Sequence, residues 1–98
     1  MTTENTNQVK PLFSLGRTVA TPGAIAALQS INIPKSLLLV RHHAGDWGDL
    51  SDGDKAANDD AVVNNDQIFS AYQFNDIRIW VITEADRSST TILLPEEY

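Results

Sequence analysis

Three apolar runs in the last third of the chain constrain the fold more than any other feature. They are rich in β-branched and aromatic residues and read QIFSAYQF, IRIWVIT and TTILLP. Asn75-Asp76 separates the first two runs, and Ala85–Ser88 separates the last two. Apolar runs joined by short polar turns are typical of β-hairpins. The sequence therefore predicts a three-stranded antiparallel meander between Gln67 and Tyr98.

The turn lengths also predict a register for the meander. They pair Phe74 with Ile77, Tyr72 with Ile79, Ser70 with Val81, Ile79 with Leu94, and Val81 with Ile92. One face then gathers Ile68, Tyr72, Phe74, Ile77, Ile79, Val81, Ile92 and Leu94. The other face carries Phe69, Trp80, Ile82 and Leu93. Because a long exposed apolar patch is unusual on a monomer, the second face is expected to need the N-terminal segment, a ligand or a partner subunit, and we predict a homodimer.

The first half of the chain predicts one strand and two or three helices. The strand is expected within Pro11–Ala20. Helix-start signals, which are a threonine or serine N-cap or a proline in the first turn, occur at Thr21-Pro22, Pro34 and Ser51. The third helix is placed at about 52–64, with an apolar line of Ala57, Ala61 and Val62. The whole is one α+β domain over 11–98, preceded by a polar tail over 1–10 that is expected to be disordered.

Composition excludes several function classes. The chain has 98 residues, a net charge of −6 and no cysteine, so thiolate metal sites and disulfides are excluded. An anionic surface repels phosphates, which makes nucleic-acid binding unlikely. It permits docking onto a basic protein partner or imitation of nucleic acid, and the acidic residues equally suit a role in keeping a small protein soluble. No apolar run is long enough to span a bilayer and no signal peptide is recognisable, so we expect a cytoplasmic protein without a membrane partner.

Three blocks of the sequence carry a resemblance to known proteins. They are TPGA at Thr21–Ala24, RHHAGDWGDL at Arg41–Leu50, and ITEADRSSTTILLPEEY at Ile82–Tyr98. Together they resemble small uncharacterised bacterial proteins of mobile elements, carried on plasmids and integron cassettes. Some members are labelled plasmid-related, or as the modification subunit of a type I restriction enzyme. The resemblance implies a mobile-gene origin and no particular activity. The chain lacks the glycine-rich loop and the Asn-Pro-Pro-aromatic motif of an adenine methyltransferase, which argues against the modification-subunit label.

One group of residues suggests an enzyme. His42 and His43 at a helix end, followed by a sheet that carries polar residues, resemble the layout of metal-independent ribonucleases of the barnase and EndoU type. Such enzymes use a histidine or glutamate base, a cation for the phosphate and hydroxyl groups. The corresponding candidates are His42, His43, Arg87, Ser88, Thr90 and Thr91, with Tyr72 nearby. Equally, the hydroxyl groups suit strand and turn positions, and Arg87 suits a surface ion pair with Asp86 or Glu84.

The loop between the second and third helices offers two further hypotheses. His43, Asp46, Asp49, Asp52 and Asp54 are hard ligands, but their spacing does not match a calcium loop, so no metal and no cofactor is predicted. The loop is instead a candidate recognition surface for a basic partner, with Asp46, Trp47 and Asp49 as contact residues and Trp80 as a further one. Alternatively, Trp47 is a plug between helix and sheet.

The leading hypothesis is a small acidic accessory or binding protein of the bacterial mobile gene pool, without enzymatic activity. The alternative is a ribonuclease-like enzyme or a degenerate relative of one. The two differ in one geometric requirement. An enzyme needs a histidine and Arg87 within reach of one phosphate, whereas a binding protein leaves these groups dispersed or locally satisfied.

Overall fold

One strand, three consecutive helices and three further strands follow one another in the computed structural model, which describes residues 11–98. The predicted tail over 1–10 lies outside the described residues. The elements in chain order are β1 (Arg17–Ala20), α1 (Pro22–Ser30), α2 (Lys35–His43), α3 (Asp52–Asn64), β2 (Ile68–Phe74), β3 (Ile77–Thr83), β4 (Ser89–Leu93) and a short 3₁₀ turn (Pro95–Glu97). The predicted α+β class is confirmed.

The strands form one mixed sheet in the order β1-β4-β3-β2. The antiparallel meander is confirmed, and so is its register, because Tyr72 lies opposite Ile79 and Val81 lies opposite Ile92. The arrangement differs in detail from a bare meander. The N-terminal strand lies at the end of its predicted segment, over Arg17–Ala20, and pairs in parallel with β4, which makes it the edge of a four-stranded sheet.

Each helix begins at the N-cap that its sequence indicates. The Thr21 hydroxyl accepts from the Ala24 N–H at 3.2 Å, and the Ser51 hydroxyl accepts from the Asp54 N–H at 3.1 Å. The apolar line predicted for α3 is only partly correct. Ala61 is buried, but Ala57 is exposed and Asn58 takes the inward position.

All three helices pack on one face of the sheet. The main core joins Ala24 and Leu28 of α1 and Leu38 of α2 to strand residues such as Tyr72 and Ile79. A second cluster places Trp47, Ala61 and Ile68 together beneath Phe13 and Leu50. Within the described part of the chain, no single helix is long and apolar enough to cross a membrane; α1 and α2 meet that criterion only as a pair, and they bend by 107°.

The outer edge of β2 is closed by side chains and by a loop. The Asn58 side chain donates to the Phe69 carbonyl at 2.6 Å and accepts from the Phe69 N–H at 3.1 Å. Ala71 donates to the Trp47 carbonyl at 3.2 Å and accepts from the Asp49 N–H at 2.7 Å. Because an unpaired edge invites association with other strands, this closure protects one side of the sheet.

Candidate functional site

A chain of buried polar side chains runs through the core under the sheet. The His42 ring lies 2.6 Å from the Ser70 hydroxyl through Nδ1 and 2.9 Å from the Thr83 hydroxyl through Nε2. The Thr83 and Thr90 hydroxyl oxygens are 2.7 Å apart, and Thr90 donates to the Leu15 carbonyl at 2.7 Å. His42, Ser70, Thr83 and Thr90 all have no exposed surface. The chain therefore ties α2, all three meander strands and the segment before β1 together.

The carbonyl at the end of this chain fixes the direction of each bond from Leu15 to the Nε2 nitrogen of His42. A carbonyl only accepts, so the Thr90 hydroxyl donates to Leu15 and must accept from Thr83. Thr83 then accepts from His42, which places the proton on Nε2. Burial favours the neutral imidazole, in which Nδ1 carries no proton and accepts from the Ser70 hydroxyl, so both ring nitrogens are satisfied.

The pKa of His42 is lowered to about 3, chiefly by burial and to a smaller extent by charge repulsion from the neighbouring His43. The helix dipole favours a cationic imidazole in the last turn of a helix, but His42 is neutral there. The desolvation of a fully buried cation outweighs the dipole. A histidine that stays neutral and has no solvent contact is poorly suited to exchange protons with a substrate.

Arg87 binds main-chain oxygens and not the carboxylates predicted for it. Its guanidinium donates to the carbonyls of Ala61 at 2.9 Å and Asp66 at 2.7 Å, at the C-terminal end of α3. It also donates to the carbonyls of Glu84 and Ala85 in its own turn, at 3.3 and 3.2 Å. The residue has a φ of +62°, a conformation that costs free energy in a non-glycine residue. The guanidinium fastens the β3–β4 turn to α3.

The six residues proposed for catalysis are only partly brought together. His42 and Thr90 join the buried chain, but the Phe13 ring lies between His42 and Arg87, 5.2 Å from the imidazole centroid and 5.7 Å from the guanidinium carbon. His43 is partly exposed and packs beside the same ring. Ser88 is exposed in the turn, and Thr91 points to the opposite face from Thr90. Arg87 and the histidines do not face one common cleft.

The loop from Asp46 to Asp49 is held against the sheet. Trp47 is 4% exposed, and its indole N–H donates to the Asp59 carboxylate at 3.0 Å. Asp46 pairs with Arg41 at 2.7 Å, and the hydrogen bond between them lowers the pKa of Asp46. The Asp49 carboxylate accepts from the Gln73 N–H at 2.8 Å. Trp47 occupies the plug position, and the loop closes the edge of β2.

The face of the sheet turned away from the helices carries a cluster of apolar side chains. We call it the aromatic face and define it by Phe69, Trp80, Ile82 and Leu93, with Tyr98 packed on Trp80. Phe69 and Trp80 meet edge to face, with ring centroids 4.9 Å apart. The Trp80 indole N–H is buried and has no hydrogen-bond partner among residues 11–98. Buried indole N–H groups are normally satisfied, so this donor lacks the partner that such a group usually has.

Sequence reasoning missed Ser70 and Thr83 as the partners of His42. A signal for both was present, because each is a polar residue at a core-facing position of an otherwise apolar strand. Such residues require a buried partner. His42 on the apolar side of α2 is the residue that meets this requirement.

Comparisons with known proteins give no relative for this chain. No protein-family model, no curated protein and no solved structure matches it. Within residues 11–98, no three histidine, aspartate or glutamate side chains are arranged to hold a metal ion.

Proposed function

We propose that the protein is a non-enzymatic accessory protein that binds a partner protein through its aromatic face. The observation that carries the proposal is the Trp80 indole N–H, which lies buried and unpaired, within residues 11–98, among the apolar side chains of that face. Binding hot spots are enriched in tryptophan and tyrosine that sit in apolar surroundings with a polar atom to satisfy. Trp80 and Tyr98 fit that description.

The layout of the face supports a docking role. Ile82 and Leu93 at its centre are already buried in the free chain, each about 5% exposed, so a partner would contact mainly the half-buried Phe69 and Trp80 and, at the margin, Tyr98, which is 74% exposed. Arg17 and Glu84 lie at one end of the face, and Arg78 lies at the other. An apolar centre with a polar rim is the usual anatomy of a protein interface.

The charge of the chain indicates which partner to expect. With a net charge of −6, the protein attracts a positively charged partner and repels nucleic-acid phosphates. The proposed partner is therefore a basic protein with an apolar patch and an exposed hydrogen-bond acceptor for Trp80. The resemblance to proteins of mobile elements suggests a host or plasmid protein in that role.

Local satisfaction of the polar groups supports binding over catalysis. In the ribonuclease hypothesis, a histidine takes a proton from RNA and Arg87 binds the phosphate. The His42 nitrogens are already occupied by Ser70 and Thr83, and the Arg87 guanidinium is occupied by carbonyls. Either role in catalysis would require breaking hydrogen bonds that hold the fold together.

The test is a quantitative pull-down from bacterial extract with wild-type bait and two single variants. Trp80→Ala removes the indole, and Val63→Ala removes an exposed side chain of α3 that is 78% exposed. We expect a partner that wild type and Val63→Ala retain equally and that Trp80→Ala loses at least tenfold. Circular dichroism of each bait verifies that it is folded.

An RNA cleavage assay with the same preparations separates the two hypotheses. We expect no cleavage by wild type. Cleavage that disappears in Arg87→Ala but survives in Trp80→Ala would overturn the proposal in favour of the ribonuclease-like alternative. Equal retention of every partner by wild type and Trp80→Ala would also overturn it.

A further inference from the structure

The free edge of β1 is built differently from the closed edge of β2. Arg17 and Thr21 donate toward β4, to the carbonyls of Ser88 and Ile92, both at 3.0 Å. Because main-chain groups alternate along a strand, those of Thr18 and Ala20 point away from β4. No other strand among residues 11–98 lies on that side of β1. An edge of this kind is a template for another strand.

We propose that two copies of the chain pair through this edge, with their β1 strands antiparallel and a two-fold axis at Val19. The proposal does not depend on the partner of the aromatic face. It joins the two sheets into one that is twice as wide.

The spacing of the outward groups favours a second copy over an unrelated strand. Thr18 and Ala20 stand symmetrically about Val19. In an antiparallel pair, Thr18 of one copy therefore lies opposite Ala20 of the other. The N–H of each residue donates to the C=O of the other. The two pairs supply about four hydrogen bonds with no donor or acceptor left over. Closed two-fold pairing is also the commonest symmetry of protein dimers.

The side chains of β1 are compatible with this register. Val19 is 39% exposed and lies on the same sheet face as Thr91, Ile82 and Phe69. At the axis it would meet the Val19 of the second copy, which extends this row across the joint. Arg17 would lie opposite Thr21 of the second copy, at the far end from the other Arg17, so the two cations stay apart.

Charge at the ends of the joint is complementary. The Thr21 hydroxyl donates to the Glu97 carboxylate, which also accepts from the Gly23 N–H at 3.2 Å. Hydrogen bonding to Thr21 lowers the pKa of Glu97, so the carboxylate is charged at neutral pH. The Arg17 of each copy would thus lie at the end of the joint where Thr21 and the Glu97 carboxylate of the other copy are located. A four-residue strand buries little area, and we expect a weak dimer that depends on concentration.

The test uses the absence of cysteine from this chain. Val19→Cys places one thiol at the proposed axis, where opposed Cα atoms of a non-hydrogen-bonded pair lie about 4.5 Å apart. That separation is within the range for a disulfide. We expect Val19→Cys to form a disulfide-linked dimer under mild oxidation at least tenfold faster than the two controls.

The controls are Thr91→Cys and Val63→Cys. Thr91 lies one strand inward on the same face, so two copies of it would be three strand spacings apart, about 14 Å, too far for a disulfide. Val63 is exposed on α3, so the rate of disulfide formation by Val63→Cys measures linkage through random collision. Faster linkage of Thr91→Cys than of Val19→Cys would mean face-to-face stacking and would overturn the proposal. Equal rates for Val19→Cys and Val63→Cys, or no linkage, would overturn it too.

Sedimentation of the wild-type chain gives an independent reading. We expect the average mass to rise toward that of a dimer as concentration increases. A constant monomer mass up to about millimolar concentration would contradict the pairing whatever the cysteine variants do.

Discussion

Acidification should destabilise this protein well above the pH at which its carboxyl groups titrate, and His42 is the reason. Its pKa is about 6.5 in the unfolded chain and about 3 in the folded one. The unfolded state therefore binds a proton, and the native state does not, as the pH falls from 6.5 toward 3. The stability that comes from keeping His42 neutral is fully present above pH 6.5 and is lost across that window.

The magnitude follows from the two pKa values. A one-proton difference changes the free energy of unfolding by about 1.4 kcal/mol per pH unit. The free energy of unfolding reaches this slope only below pH 6.5, so it falls by about 2 kcal/mol between pH 7 and pH 5. That is a substantial fraction of the roughly 5–15 kcal/mol that stabilises a typical domain. The pKa values of the Asp46 and Glu97 carboxyl groups are lowered, so their protonation destabilises the protein only at more acidic pH and does not contribute to the loss between pH 7 and pH 5.

The assay is urea unfolding at pH 7, 6 and 5 for wild type, His42→Gln and His43→Gln. We expect the loss of about 2 kcal/mol in wild type and most of it in His43→Gln. His42→Gln should be less stable at pH 7, because it disrupts the hydrogen-bond chain from Ser70 to Thr83, but nearly independent of pH. If the free energy of unfolding of wild type does not change with pH, or if His42→Gln keeps the wild-type pH dependence, His42 is not the source of the acid destabilisation.

Three further predictions concern the contacts that hold the loops and the sheet edge. Arg87→Ala should lower the free energy of unfolding by about 2 kcal/mol. The loss in Arg87→Gly should be smaller by about 1 kcal/mol, because glycine tolerates the positive φ of this position. An alanine variant more stable than the glycine variant would contradict this prediction. Gly48→Ala should lower the free energy of unfolding by at least about 3 kcal/mol, because the new Cβ would overlap the Ala71 carbonyl oxygen and the residue has a φ of +79°. The control is Gly53→Ala in α3, where the nearest atom to the new Cβ is 4.0 Å away. That substitution should be neutral or stabilising. Asn58→Ala should lose about 2 kcal/mol and increase aggregation measured by light scattering, because it uncovers the edge of β2; unchanged scattering would count against edge protection.

Local signals in the sequence were sufficient for the meander and for the helix starts. The two-residue turn at Asn75-Asp76 fixes the β2–β3 register, since a slip of one residue would turn every apolar side chain to the other face. The N-caps at Thr21 and Ser51 satisfy main-chain donors within three residues of themselves. Such features depend on neighbours in the chain, which is why they can be read from one sequence.

Features that depend on distant partners were not predicted. β1 pairs in parallel with β4, whose residues lie about seventy positions later, and no local pattern specifies that choice. Asn58 faces inward in α3 because it satisfies the main chain of Phe69, so the apolar line of that helix is displaced from Ala57. His42 is neutral because burial lowers its pKa, and its partners Ser70 and Thr83 come from distant strands. The adjacency of His42 and His43 suggested a shared chemical role, but one ring is buried and the other is partly exposed.

We propose that the histidine and hydroxyl groups of this protein maintain its fold and do not perform proton transfer. The most direct measurement is the nitrogen chemical shifts of the His42 ring by NMR between pH 7.5 and pH 5. We expect a neutral ring with its proton on Nε2, unchanged over that range. A ring that becomes protonated near pH 6.5, as an accessible catalytic base would, contradicts the claim.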